Sequence, residues 1–95
     1  MIFRIIDKTG RKVHLSEERW GHILEHKGME NYLEDIKSTL ENPLKIISHD
    51  CGDLYDYYTF HKNKKSNSKF LMVVVKYLNG TGFVLTDYFV QQITT

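Results

Sequence analysis

Ninety-five residues, 41% of them hydrophobic and including six Tyr, five Phe and one Trp, suffice for a single domain with one modest core. No apolar run approaches the roughly 18 residues that a membrane helix needs, and the charge within Met1, Ile2, Phe3 and Arg4 argues against a secretory leader there; the expectation is a soluble, cytoplasmic protein without membrane contact. Net charge is only +1, yet residues 1–56 carry eight Lys/Arg against eleven Asp/Glu, whereas residues 57–95 carry five Lys against one Asp. Such a basic C-terminal part suits an anionic partner such as RNA, and a solvated lysine loop gives the same count. The single cysteine, Cys51, excludes an internal disulfide framework. Its neighbours Asp50 and Asp53 suggest a loop and disfavour a reactive thiolate.

In chain order, residues 2–6 read as a strand, Lys8, Thr9 and Gly10 as a turn, and residues 12–15 as a return strand. Ser16 has the character of an N-cap, with Glu17 and Glu18 in the first turn, where carboxylates suit the helix dipole. Trp20, Ile23 and Leu24 share one helical face, and Gly28 is a stop signal. Tyr32, Leu33, Ile36 and Leu40 keep helical spacing through residues 31–40, and Pro43 closes that helix. Strands are then expected over 44–48, 54–62, 69–78 and 81–93. They are separated by a turn at Asp50 to Asp53, a polar loop over 63–68, and a type I′ turn at Asn79 and Gly80. The fold class this implies is α+β: a short N-terminal hairpin and two helices packed on a four-stranded antiparallel sheet, in one domain spanning the chain.

A two-residue turn at Asn79 and Gly80 sets Leu78 opposite Thr81, Val73 opposite Thr86 and Leu71 opposite Tyr88, if no bulge intervenes. Thr86 and Tyr88 then share a face with Tyr58, Phe60 and Lys62, while Lys76, Leu85 and Asp87 point the other way. On the first helix Arg19, His22 and His26 form a polar stripe beside the apolar one, with His26 at the seam between helix and sheet.

These residue types match the needs of metal-free RNA cleavage. A base takes the ribose 2′-hydroxyl proton, an acid protonates the leaving 5′-oxygen, and cations or hydrogen-bond donors hold the phosphate. Histidine suits either proton transfer. Lysine, threonine and tyrosine suit the phosphate, and Tyr55, Tyr57, Tyr58, Phe60 and Tyr88 offer rings for splayed bases. Each residue also has a plainer reading. His26 can simply end a surface helix, Thr86 and Tyr88 can serve only as strand formers, and Lys62, Lys64, Lys65 and Lys69 can guard a strand edge. His22 and His26 have the i, i+4 spacing of a zinc pair, but Ile23 stands where a zincin has Glu and no Cys pair exists, so no metal or other cofactor is expected.

The segment Arg19, Trp20, Gly21, His22, Ile23, Leu24, Glu25, His26, followed by residues 32–40 and by Asn42 and Pro43, resembles the start of small phage- and toxin-associated domains of the barnase/EndoU/colicin/RelE-like nuclease group. Tyr57 and Tyr58, the run Val73 to Val75, and Val84, Leu85, Thr86, Asp87, Tyr88 are similar to that group's later strands. The resemblance covers most of residues 15–90. It implies N-terminal helices followed by a four-stranded antiparallel sheet, a metal-independent ribonuclease activity of toxin or mobile-element type, and a protein antitoxin or immunity partner. The implied site carries His26 as general base or acid and Lys62 and Thr86 on the phosphate. Tyr88 lies near that site, and the residue types themselves add Tyr58 as an expected positioning ring and Arg19, His22, Lys64 and Lys65 as expected further contacts. The chain departs from the pattern at Lys27 and Gly28, where the group has Pro, and at Asp87, where it has a small residue. The alternative is a non-catalytic RNA- or protein-binding module of the same fold.

Overall fold

The computed structural model describes residues 1–49 and 52–93. Its elements are β1 (Phe3–Ile6), β2 (Lys12–Leu15), α1 (Glu17–Ile23), a 3₁₀ turn (Met29–Asn31), α2 (Leu33–Glu41), β3 (Lys45–Ser48), β4 (Leu54–Phe60), β5 (Phe70–Leu78) and β6 (Thr81–Val90). The first half of the turn expected at Asp50 to Asp53, including Cys51, lies outside the described residues. The Ser16 hydroxyl caps α1 by accepting from the Arg19 N–H at 3.1 Å. Asn79 and Gly80 both have positive φ, 54° and 81°, as a type I′ turn requires.

The sheet corrects the expected architecture. It has six strands in the order β1-β2-β6-β5-β4-β3, and it is mixed rather than antiparallel throughout. The N-terminal hairpin is not a separate flap. Its second strand pairs in parallel with the start of β6, Lys12 with Thr81, Val13 with Gly82 and His14 with Phe83. The physical reason is burial: a two-stranded hairpin is marginal alone, and docking it on β6 buries Phe3, Val13 and Leu15 in the common core. Gly82 permits the close approach, since a Cβ there would meet the Tyr77 ring at 2.6 Å and Val13 at 3.1 Å.

The core lies on one face of the sheet. Ile23 of α1 and Ile36 and Leu40 of α2 pack against Val13, Leu15, Tyr57, Leu71, Val73, Val75, Tyr77 and Val84. Tyr58 and Met72 are also buried but stand outside this cluster. By strand alternation they belong to the opposite face, with Phe60, Phe70, Val74, Thr86 and Tyr88. A β-bulge between β5 and β6 sets the register there: Val75 faces Val84, Val74 faces Thr86, and Leu85 is the extra residue. Thr86 and Tyr88 therefore lie opposite Val74 and Met72, not Val73 and Leu71. Asp87 faces Val73 and is turned into the core, fully buried at 0% exposure.

The loop of the N-terminal hairpin is anchored by one carboxylate. Asp7 accepts from the backbone N–H groups of Thr9 and Arg11, both at 2.9 Å, and from the Thr9 hydroxyl at 2.7 Å. Its second oxygen accepts from the hydroxyls of Tyr57 and Tyr77. Burial alone would raise the Asp7 pKa, but these donated hydrogen bonds prevail and hold it below the ordinary carboxylate value. Burial, and then the bond to Asp7, push the Tyr77 phenol up to about 12. The Arg11 guanidinium covers the Tyr77 ring at 3.7 Å and the Tyr55 ring at 4.7 Å.

Candidate active site

The residues singled out in the sequence fall into two groups. The first surrounds the free edge of β6. Beyond Phe83 that edge has no strand beside it among the described residues. The chain leaving α1 runs there instead, because α1 ends at Ile23 and residues 24–28 turn back toward the 3₁₀ segment. His26 is exposed, and its ring lies 5.8 Å from that of Tyr88, tilted by 39°. Tyr88 is 40% exposed. Thr86, half-buried, is two residues away on the same face as Tyr88. An imidazole, a phenol and an aliphatic hydroxyl are thus neighbours at a solvent-accessible edge. Asp87 lies between the two hydroxyl residues in sequence but on the other side of the sheet.

Arg19 and His22 remain on α1, with the exposed His22 ring 3.7 Å from Glu25. His26 lies past the end of the helix, so the i, i+4 geometry of a helical zinc pair is not formed. No group of three or more His, Cys, Asp or Glu gathers at metal-binding distance among the described residues. Tyr58 departs from its expected role. At 1% exposure it is packed between the flanking strands, beside Lys45 and Met72, and offers no ring to a substrate.

The second group lies where β4 ends and the loop to β5 begins. Tyr32, Phe60, His61, Lys62, Asn63 and Lys64 line an open cavity of about 360 Å³. Lys62 and Lys64 are therefore together, and Lys65 is exposed in the same loop. Lys62 is not beside Thr86. Thr86 shares a rung with Asp56, four residues at ~3.3 Å each separate that rung from Phe60 at the end of β4, roughly 13 Å, and Lys62 lies beyond it in the loop.

His61 also belongs to this pocket, outside the residues expected in the nuclease site. Its Nε2 lies 3.1 Å from the Thr59 hydroxyl, which lies 2.7 Å from the hydroxyl of buried Thr39 on α2. The His61 ring meets Phe89 and Tyr32 edge-on, at 5.4 and 6.2 Å. The Lys64 ammonium sits 4.1 Å from the Phe89 ring centre and 5.5 Å from that of Tyr32. The signal for it is the alternation of Tyr57 and Thr59 along β4, continued by His61 just past the strand end: Tyr57 lies in the core and the Thr59 hydroxyl meets Thr39 of α2.

Chemically, the β6 edge offers a proton-transfer group beside hydroxyl donors, and the pocket offers cations beside aromatic rings. Comparison with protein-family models, with curated proteins and with solved structures finds no match for this chain.

Proposed function

We propose that this chain is a metal-independent endoribonuclease of the barnase/EndoU/colicin/RelE-like kind, which cleaves RNA by attack of a ribose 2′-oxygen on the adjacent phosphate. The observation that carries this reading is the placement of the His26 imidazole against Tyr88, with Thr86 on the same face at an accessible sheet edge. In this reading His26 exchanges the proton of the 2′-hydroxyl or of the leaving 5′-oxygen. The hydroxyls of Thr86 and Tyr88 donate to the non-bridging phosphate oxygens, whose charge grows in the transition state. The lysines of the neighbouring loop hold flanking phosphates. The products are a 2′,3′-cyclic phosphate and a free 5′-hydroxyl, and no water or metal enters the first step.

The test is incubation of the purified protein with total RNA in EDTA, beside His26→Ala and Thr86→Val. The expected outcome is cleavage by the parent chain leaving cyclic phosphate ends. His26→Ala should be slower by roughly 10²–10⁴-fold, the usual contribution of a general acid or base. Cleavage that survives His26→Ala unchanged overturns the assignment. A second reading, an RNA-binding module without catalysis, draws on the pocket, whose cations and rings need no contribution from His26. Tight RNA binding with no cleavage would establish it.

A further inference from the structure

We infer that the pocket at the end of β4 is a ribonucleotide-phosphate subsite in which His61 is held in one tautomer and presents Nδ1 to the ligand; this rests on the RNA reading above only for the origin of the nucleotide. The tautomer follows from counting protons. Thr39 donates its only hydroxyl proton to the Asp35 carbonyl, at 2.7 Å. It can then only accept from Thr59, whose proton is spent in turn. Thr59 must therefore accept from His61, so Nε2 of His61 carries hydrogen. The relay runs one way, from the imidazole through two hydroxyls to the backbone of α2. In the neutral ring it leaves Nδ1 with the lone pair, and Nδ1 has no partner among the described residues.

The surroundings of His61 select an anion. Two lysines and the Asn63 amide line the cavity with the imidazole, and among the described residues no carboxylate does. Lys64 is fixed in place before any ligand arrives: its ammonium rests on Phe89, and its carbonyl accepts from the Lys69 ammonium. A volume of about 360 Å³ falls within the range of small-molecule sites, roughly 300–1,000 Å³, and exceeds what a bare ion needs. Tyr32 and the 52% exposed Phe60 supply apolar walls for a base. Nδ1 accepts from a ribose hydroxyl in the neutral ring and donates to a phosphate oxygen when the ring is protonated.

The test uses the full chain and three probes: cytidine 3′-monophosphate, cytidine and inorganic phosphate. Two-bond proton–nitrogen NMR reports the tautomer, and the same spectra follow each titration. The expected result is an Nε2–H tautomer and nucleotide-induced shifts at Tyr32, His61 and Lys64. Affinity should fall in the order nucleotide, phosphate, cytidine. Lys64→Ala should weaken nucleotide binding about tenfold, as loss of one charge-assisted hydrogen bond does. Lys12→Ala, on the far side of the sheet, should leave it unchanged. Thr59→Val should abolish the tautomer preference, and Thr59→Ser should restore it. An Nδ1–H tautomer in the parent chain overturns the inference, as do equal losses from Lys64→Ala and Lys12→Ala, which would mean diffuse attraction. The two proposals fail separately. Nucleotide binding in the pocket without RNA cleavage removes the endoribonuclease reading alone, whereas cleavage with no shift in the pocket removes the subsite alone.

Discussion

Two buried aspartates have opposite surroundings and opposite consequences. Asp7 is saturated with donors, whereas Asp87 is fully buried with neither carboxyl oxygen hydrogen-bonded among the described residues. Burial pushes Asp87 from 3.8 up to about 7. Because its folded pKa lies above its unfolded value, stability is greatest below pH 4 with respect to this group and is lost as pH rises to about 7. Three units at ~1.4 kcal/mol each make the loss on the order of 4 kcal/mol. Asp87→Val should therefore stabilise the protein far more at pH 8 than at pH 4, as urea denaturation at the two values would show; a gain independent of pH would contradict this account. For Asp7 the sign reverses. Its depressed pKa contributes stability above the unfolded value that is lost on acidification through the folded one. Asp7→Ala strands two buried phenols and should cost about 2–4 kcal/mol at neutral pH, read as a lower denaturation midpoint.

At the scale of elements, the decisive features are a bulge and a glycine in β6. The extra residue Leu85 reverses the alternation established at the Asn79–Gly80 turn. It leaves Thr86 and Tyr88 on one side, as the sequence suggested, but changes which β5 residues they face and sends Asp87 into the core. No residue in Phe83 to Asp87 announces a bulge, so the periodicity could not locate it. Gly82 sits where β2 pairs with β6, opposite Val13. Its neighbour Tyr77 cannot swing away, because its hydroxyl is bound to Asp7 and its ring is covered by Arg11. Gly82→Ala should accordingly cost about 1–3 kcal/mol, the range of overpacked cores. Adding Tyr77→Leu should recover part of that loss in a double-mutant cycle. Additive losses would show that the ring is not the obstacle.

On the scale of the whole molecule, the hairpin of β1 and β2 extends the sheet and closes its core. It contributes Phe3, Val13 and Leu15 to the buried cluster and Asp7 to the phenol pair. A chain beginning at Ser16 should therefore lose cooperative thermal unfolding, measured by circular dichroism, although both helices and four strands remain. Retention of a sharp transition would mean that the antiparallel strands suffice. No helix of the described residues is long and apolar enough to cross a membrane. One face of the sheet bears the helices; the other carries Phe60 and Tyr88, each at least 40% exposed.

The sequence carries what local physics controls: the N-cap at Ser16, the helical faces of Ile23, Ile36 and Leu40, the turn at Asn79 and Gly80, and the common face of Thr86 and Tyr88. It also singled out His26, whose ring the fold lays against Tyr88. The rest depends on long-range packing. The parallel pairing of β2 with β6 joins segments about seventy residues apart, and such contacts leave no local period. Lys62 lies with His61 rather than with Thr86 because strand length, not residue type, sets that distance. The Thr39, Thr59 and His61 relay requires α2 and β4 to meet across the core, and the polarity that fixes the imidazole exists only once they do.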